Sequence, residues 1–92
     1  NQEISMKLKE LLKCIDKGET ILLVDLDYKN PKSPSNKYTN IDGEFYCSQL
    51  DDIILDFSEM NVKHVSCVTD EYVDDNEIAN EPYLEIEVYL WK

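Results

Sequence analysis

The sequence predicts an α+β fold: helix, strand, strand, helix, strand, strand, with a four-stranded, mostly antiparallel sheet and both helices on one face. Three observations lead there. Tyr83 to Trp91 alternates strictly, so Leu84, Ile86, Val88 and Leu90 line one face of a strand and Tyr83, Glu85, Glu87, Tyr89 and Trp91 line the other. Two segments, one beginning near Met6 and one near Ser48, space their apolar residues at helical intervals. Between and after them lie short β-branched runs separated by turn residues. Two helices cannot hide both faces of a four-stranded sheet, which leaves one face of the last strand outside the core.

In chain order, Asn1 to Ser5 read as a lead-in, with Met6 as a natural start. Leu8, Leu11, Leu12 and Ile15 mark the apolar side of a first helix over Met6 to Lys17, capped by Ser5 and stopped by Gly18. Thr20 to Tyr28 is a first strand. Lys29 to Asn40, with two prolines and three lysines, is an exposed basic loop. Asp42-Gly43 is a turn leading into a short second strand, Glu44 to Cys47. Ser48 and Asp51 form a capping box, and Leu50, Ile53, Ile54 and Phe57 give the core face of a second helix ending near Asn61. Val62 to Thr69 lacks clean alternation and is expected as a third strand with either a bulge or burial on both faces. Asp70 to Pro82 has little core pattern and is expected as a long acidic connection into the final strand.

A chain of 92 residues supports one domain, here taken as 1–92, with one core. Twenty acids oppose nine lysines and no arginine, and the excess is uneven. Residues 1–46 hold seven lysines and eight acids, net −1, whereas residues 47–92 hold two lysines and twelve acids, net −10. Such a field repels nucleic acid and anionic membrane and attracts basic surfaces. Cys14, Cys47 and Cys67 are odd in number and lack metal-ligand spacing, so they are expected as reduced thiols in a cytoplasmic protein. No apolar run approaches a membrane span.

No catalytic constellation emerges. Asp25-Leu26-Asp27 at a strand end resembles the first motif of haloacid-dehalogenase-type phosphohydrolases, which implies a nucleophilic Asp25, an acid/base Asp27 and magnesium. That family has a hydroxyl residue where Lys29 stands and a much larger doubly wound domain, so the expectation is two carboxylates at a solvated strand edge and no enzyme activity. The acids of 70–77 lack the register of a calcium loop, and His64 has no nucleophile at a meaningful spacing. No cofactor or metal is expected. The candidate partner-binding residues are Asp70, Glu71, Asp74, Asp75 and Glu77 of the acidic connection with Tyr83, Glu85, Glu87, Tyr89 and Trp91 of the final strand. Acids two apart on a strand stand roughly 6.7 Å apart, near two phosphate steps of a nucleic-acid strand.

Met6-Lys7-Leu8-Lys9-Glu10-Leu11-Leu12 at the start, Val62 and Val65 later, and Leu84-Glu85-Ile86-Glu87 at the end resemble small acidic proteins of phages and mobile elements of low-GC Gram-positive bacteria. The resemblance implies a bacterial host cell and an anti-CRISPR protein that inhibits Cas9 by occupying its DNA-binding cleft. An immunity protein against a nuclease toxin and a non-inhibitory adaptor are the alternatives, and the chain is expected as a monomer or as a homodimer paired through an edge of its final strand.

Overall fold

A computed structural model of the chain describes residues 6–38 and 42–90, with Tyr72, Asp74 and Ala79 described by their backbone alone. The elements are α1 (Leu8–Leu12), β1 (Ile21–Asp25), a 3-10 turn (Pro34–Lys37), β2 (Glu44–Cys47), α2 (Ile53–Asp56), β3 (Asn61–Asp74) and β4 (Glu77–Tyr89). The α+β class and four strands agree with the sequence. The sheet is mixed, in the order β2-β1-β4-β3. β1 runs antiparallel to β2 but parallel to β4, and β3 and β4 form an antiparallel hairpin. The final strand is therefore interior, so the expectation that its edge is free for pairing is corrected: the free edge on that side belongs to β3.

The core lies on the helical side of the sheet. Leu8 and Leu12 of the first helix and Ile54 and Phe57 of the second pack on Ile21, Leu23, Phe45, Ile86 and Val88, with Leu11, Ile15, Ile53, Leu84 and Leu90 around them. This is the face that alternation in the final strand assigned to the core. Ile86 sits between Leu23 and Val65 in the ladders, where neither edge nor face reaches solvent.

Both helices are shorter than their apolar spacing predicts. Met6 and Lys7 are taken by the sheet, for Lys7 bridges Asn61 and the Met6 carbonyl accepts from the Val62 amide (2.8 Å). The expected cap Ser5 lies outside the described residues. Beyond Leu12 the bonds tighten to three-residue steps, Cys14 to Leu11 and Ile15 to Leu12, and the Gln49 side chain donates to the Ile15 carbonyl (2.7 Å). At the second helix the expected capping box forms around turns that precede the helix proper: Asp51 accepts from the Ser48 amide (2.8 Å) and Ser48 Oγ from the Leu50 amide (3.2 Å).

The loop after β1 is not an open basic loop along its whole length. Asp25, 1% exposed, accepts hydrogen bonds from the hydroxyls of Ser33 and Ser35 and from the Asp27 amide (2.9 Å), which folds the 3-10 turn over the strand end. The same turn ends β1 at Asp25 rather than Tyr28. Gly43, at φ +73°, accepts from the Asp25 amide (2.8 Å), and a side chain there would meet Tyr28 and the Asp25 carbonyl at 2.7–2.8 Å.

The largest correction is at 70–82. Those residues are ladder, not connection: β3 runs on to Asp74, reverses through Asp75 and Asn76 at φ 48° and 67°, and returns from Glu77. Two positive φ values in a two-residue loop are the signature of a primed hairpin turn, which Asp and Asn tolerate. The pattern was hidden because residues 68–74 and 77–83 extend past the end of β1, so no core imprints alternation on them. Of the two readings of the third strand, the bulge is present, as a register shift between Val62 and His64, and burial on both faces is not, since Val65, Cys67 and Thr69 are exposed.

Candidate functional site

Strand parity and ladder register determine which side chains share a face. On the side of the sheet away from the helices lie His64, Ser66, Val68 and Asp70 of β3 with Glu77, Glu81, Tyr83, Glu85 and Glu87 of β4, continued by Leu22 and Val24 of β1 and Glu44 and Tyr46 of β2. The two groups of residues singled out from the sequence are thus joined in part: Asp70 and Glu77 of the acidic stretch share one surface with Tyr83, Glu85 and Glu87 of the last strand. Asp70 stands opposite Glu81 in the ladder, and the acidic partners Asp74 and Glu77 close the ribbon beside the turn at Asp75.

Like charges directly opposed on a strand pair, with Cβ atoms about 4.5–5.5 Å apart, destabilise the pair. No lysine or arginine occurs from His64 to Leu90 while eight acids do, and among the described residues none of those acids forms an ion pair; His64 stands opposite Glu87 on the same face. Asp70 does accept from the Tyr83 hydroxyl (3.5 Å), and Ser66 Oγ donates to Glu85 (3.4 Å). Glu85 and Glu87 are half-buried in the sheet, whereas Asp70, Glu71, Asp75, Glu77 and Glu81 are exposed.

The aromatic members fare differently from expectation. Tyr83 is buried, edge-on against Tyr46 (centroids 5.8 Å, planes at 71°), and its burial with Asp70 alongside raises its hydroxyl above the usual tyrosine value. It is a platform rather than an exposed anchor. Among the described side chains Tyr46, at 65% exposed, is the aromatic that faces solvent, and sequence reasoning passed over it. The signal was there in the alternation Glu44-Phe45-Tyr46-Cys47, of which Phe45 and Cys47 are buried. Tyr89 is half-buried opposite Asn61, and Trp91 lies outside the described residues. Glu71 falls on the helical-side face of the ribbon, with exposed Val73 and Ile78.

The expectation that Asp25 and Asp27 stand at a solvated strand edge is corrected for Asp25. Asp25 is sealed under two serine hydroxyls, and Asp27 accepts from the Leu90 amide (2.8 Å), tying the chain's end to the strand-end turn. Among the described residues no group of three or more His, Cys, Asp or Glu side chains could hold a metal ion, and no helix is long and apolar enough to cross a membrane. The buried Cys47 thiol is pushed up to about 11 by desolvation and, secondarily, by Asp51, so at neutral pH it stays protonated. The chain matches no protein-family model, and no curated protein or solved structure is similar to it.

Proposed function

We propose that the protein is a small acidic binding module, without catalytic activity, that occupies a basic nucleic-acid-binding surface of a nuclease-type partner. The observation that supports this reading is the single acidic face, without lysine or arginine from His64 to Leu90, formed by Asp70, Glu77, Glu81, Glu85 and Glu87 around Tyr46 and Tyr83. Its acids repel one another along a rigid ladder, so a cationic surface that neutralises them gains attraction and relieves strain already present in the free protein. A face of this kind steers a basic partner at long range, and Tyr46 offers the desolvated contact that slows its departure. Inhibition of a Cas9-type nuclease in a phage-infected bacterial cytoplasm is the form of this function that we favour, and neutralisation of a nuclease toxin uses the same chemistry.

The test is binding to purified nucleic-acid-handling proteins, a Cas9–guide RNA complex among them, with and without competing DNA at two salt concentrations. DNA is expected to compete. Asp70→Asn with Glu81→Gln should slow association and flatten its salt dependence, while Tyr46→Ala should speed dissociation and cost about 2 kcal/mol at the centre of a contact. A partner that binds the protein and nucleic acid together, with salt-independent affinity, would refute the reading in favour of an adaptor.

A further inference from the structure

The helical layer carries a second surface, opposite in charge to the sheet face. α1 and the turns after it form one wall of a trough, α2 and the turns around it form the other, and the space between them is about 340 Å³. Hydrogen bonds tie the walls at both ends: the Lys9 amide donates to the Ser58 carbonyl (2.9 Å), and the Gln49 side chain donates to the Ile15 carbonyl (2.7 Å). The fold itself therefore sets the width. The apolar lining is Leu12, Ile15 and Leu55; Leu12 is buried, Ile15 half-buried, and Leu55 stands on the lip at 62% exposed, an aliphatic side chain left largely to water. The charged lining among the described residues is Lys9, Lys13 and Lys17, with no acid. Lys9 is held by Glu59 (2.7 Å), but among the described residues Lys13 and Lys17 form no ion pair. The carboxylates beside them in sequence do not cancel this, because Asp16 and Glu19 line a separate depression with Cys14 and Leu84. One short turn thus sorts its lysines to one side and its acids to the other. In a chain of twenty acids and nine lysines, three lysines on one wall without a carboxylate reverse the average composition.

We propose that this trough docks an acidic segment of another protein, with one apolar side chain of that segment seated between Leu12, Ile15 and Leu55 while carboxylates on either side of it meet the ammonium groups of Lys13 and Lys17. Charge complementarity selects the acids, and the exposed aliphatic lip selects the apolar residue between them. Nucleic acid carries the same charge but lacks the fit. Single strands are held by bases stacking on aromatic rings and on arginine, and this trough has no aromatic lining and the chain no arginine. A small amphiphile is held where a pocket encloses most of its surface, whereas the lip at Leu55 leaves this trough open along its side, as suits a peptide lying across it. The lysine wall also belongs to the half of the chain that is close to neutral, residues 1–46 at net −1, so the acids that would repel such a segment are concentrated elsewhere. The trough and the acidic face lie on opposite sides of the sheet. An acidic and a basic partner can therefore be held at once, and the inference stands independently of the function proposed above.

The experiment titrates the purified full chain, labelled for NMR, with a peptide whose central Leu-Phe pair is flanked on each side by three glutamates. Saturable binding below the millimolar range is expected, with amide shifts confined to Leu12 to Lys17, Gln49 and Leu55. Lys13→Glu with Lys17→Glu changes two exposed side chains, so the circular-dichroism spectrum should stay as it is while affinity falls about tenfold, the size expected of two solvent-exposed charge pairs. Leu55→Gln keeps every lysine and should also weaken the peptide, a loss that attraction by charge alone does not produce. Asp70→Asn with Glu81→Gln should leave the affinity unchanged, because those acids act from across the sheet and are screened. Oligothymidylate and dodecanoate, at matched concentration, stand for the other occupants, and sedimentation of the free chain reports a second copy. Failure of the peptide to saturate up to the millimolar range, an affinity unmoved by either trough variant, or tighter binding of oligothymidylate or dodecanoate that is lost in the lysine variant would each overturn the proposal. So would a mass that rises with protein concentration in the parent and not in the lysine variant, which would make a second copy the occupant.

Discussion

Replacing Asp25 by Ala separates a structural carboxylate from a catalytic one. Asp25 is 1% exposed and holds the hydroxyls of Ser33 and Ser35, themselves 4% and 3% exposed, together with the Asp27 amide. A hydrogen bond to a charged group contributes about 1.5–3 kcal/mol, and a buried donor left without an acceptor costs about 1–3 kcal/mol. Ser33 Oγ also accepts from the Ser35 amide (3.2 Å), so the turn itself loosens when its anchor goes. Against this stands the desolvation of the carboxylate, which the variant relieves, so the expected net loss is about 3 kcal/mol rather than the sum of the bonds. For a domain whose total stability is about 5–15 kcal/mol, that is a large share. Urea unfolding of the parent, Asp25→Ala, Ser35→Ala and the double variant checks it, with a lower midpoint, an unchanged slope and a coupling energy of roughly 0.5–3 kcal/mol. A loss under about 0.5 kcal/mol with additive single effects, as at an ordinary surface site, would refute the reasoning.

The two glycines should respond in opposite ways. Gly43→Ala forces a side chain into φ +73° and against the Asp25 carbonyl at 2.8 Å, which should cost at least about 2 kcal/mol in the same melts, whereas Gly18→Ala meets nothing within 4 Å and should be neutral or stabilising by about 0.4–1 kcal/mol. Glu59 is held down to about 2 from 4.5 by hydrogen bonds from Lys9 and Lys7 (2.7 and 2.9 Å) and their charge. A depressed carboxylate contributes stability above its unfolded value that is lost as pH falls through the folded value. The contribution of Glu59 should therefore be complete above pH 4.5 and vanish towards pH 2, and added salt should weaken it because the pair is exposed. A carboxylate titration followed by NMR, with Glu59→Gln as control, reads the midpoint directly, and an ordinary midpoint near 4.5 would show that the lysines do not hold it.

What the sequence determined by itself was the set of faces that meet the core. The period-two run from Leu84 to Leu90 and the helical spacing of Leu8, Leu12, Ile54 and Phe57 are imprinted by burial, and all of these residues lie in the core or against it. The asymmetric charge was equally plain, since composition needs no fold to be read. Element lengths were decided by competition the sequence does not display: Met6 and Lys7 could extend a helix, but the start of β3, more than fifty residues on, takes their backbone. The ribbon of 69–82 escaped notice because its described side chains meet water on both faces, and solvent, unlike a core, imposes no alternation on the residues that face it. Strand order was likewise a tertiary matter. A parallel β1–β4 ladder places the last strand in the interior, exposes the edge of β3, and carries Tyr46 across the sheet to Tyr83, because neighbours in a sheet are chosen by how two distant apolar faces close over one core.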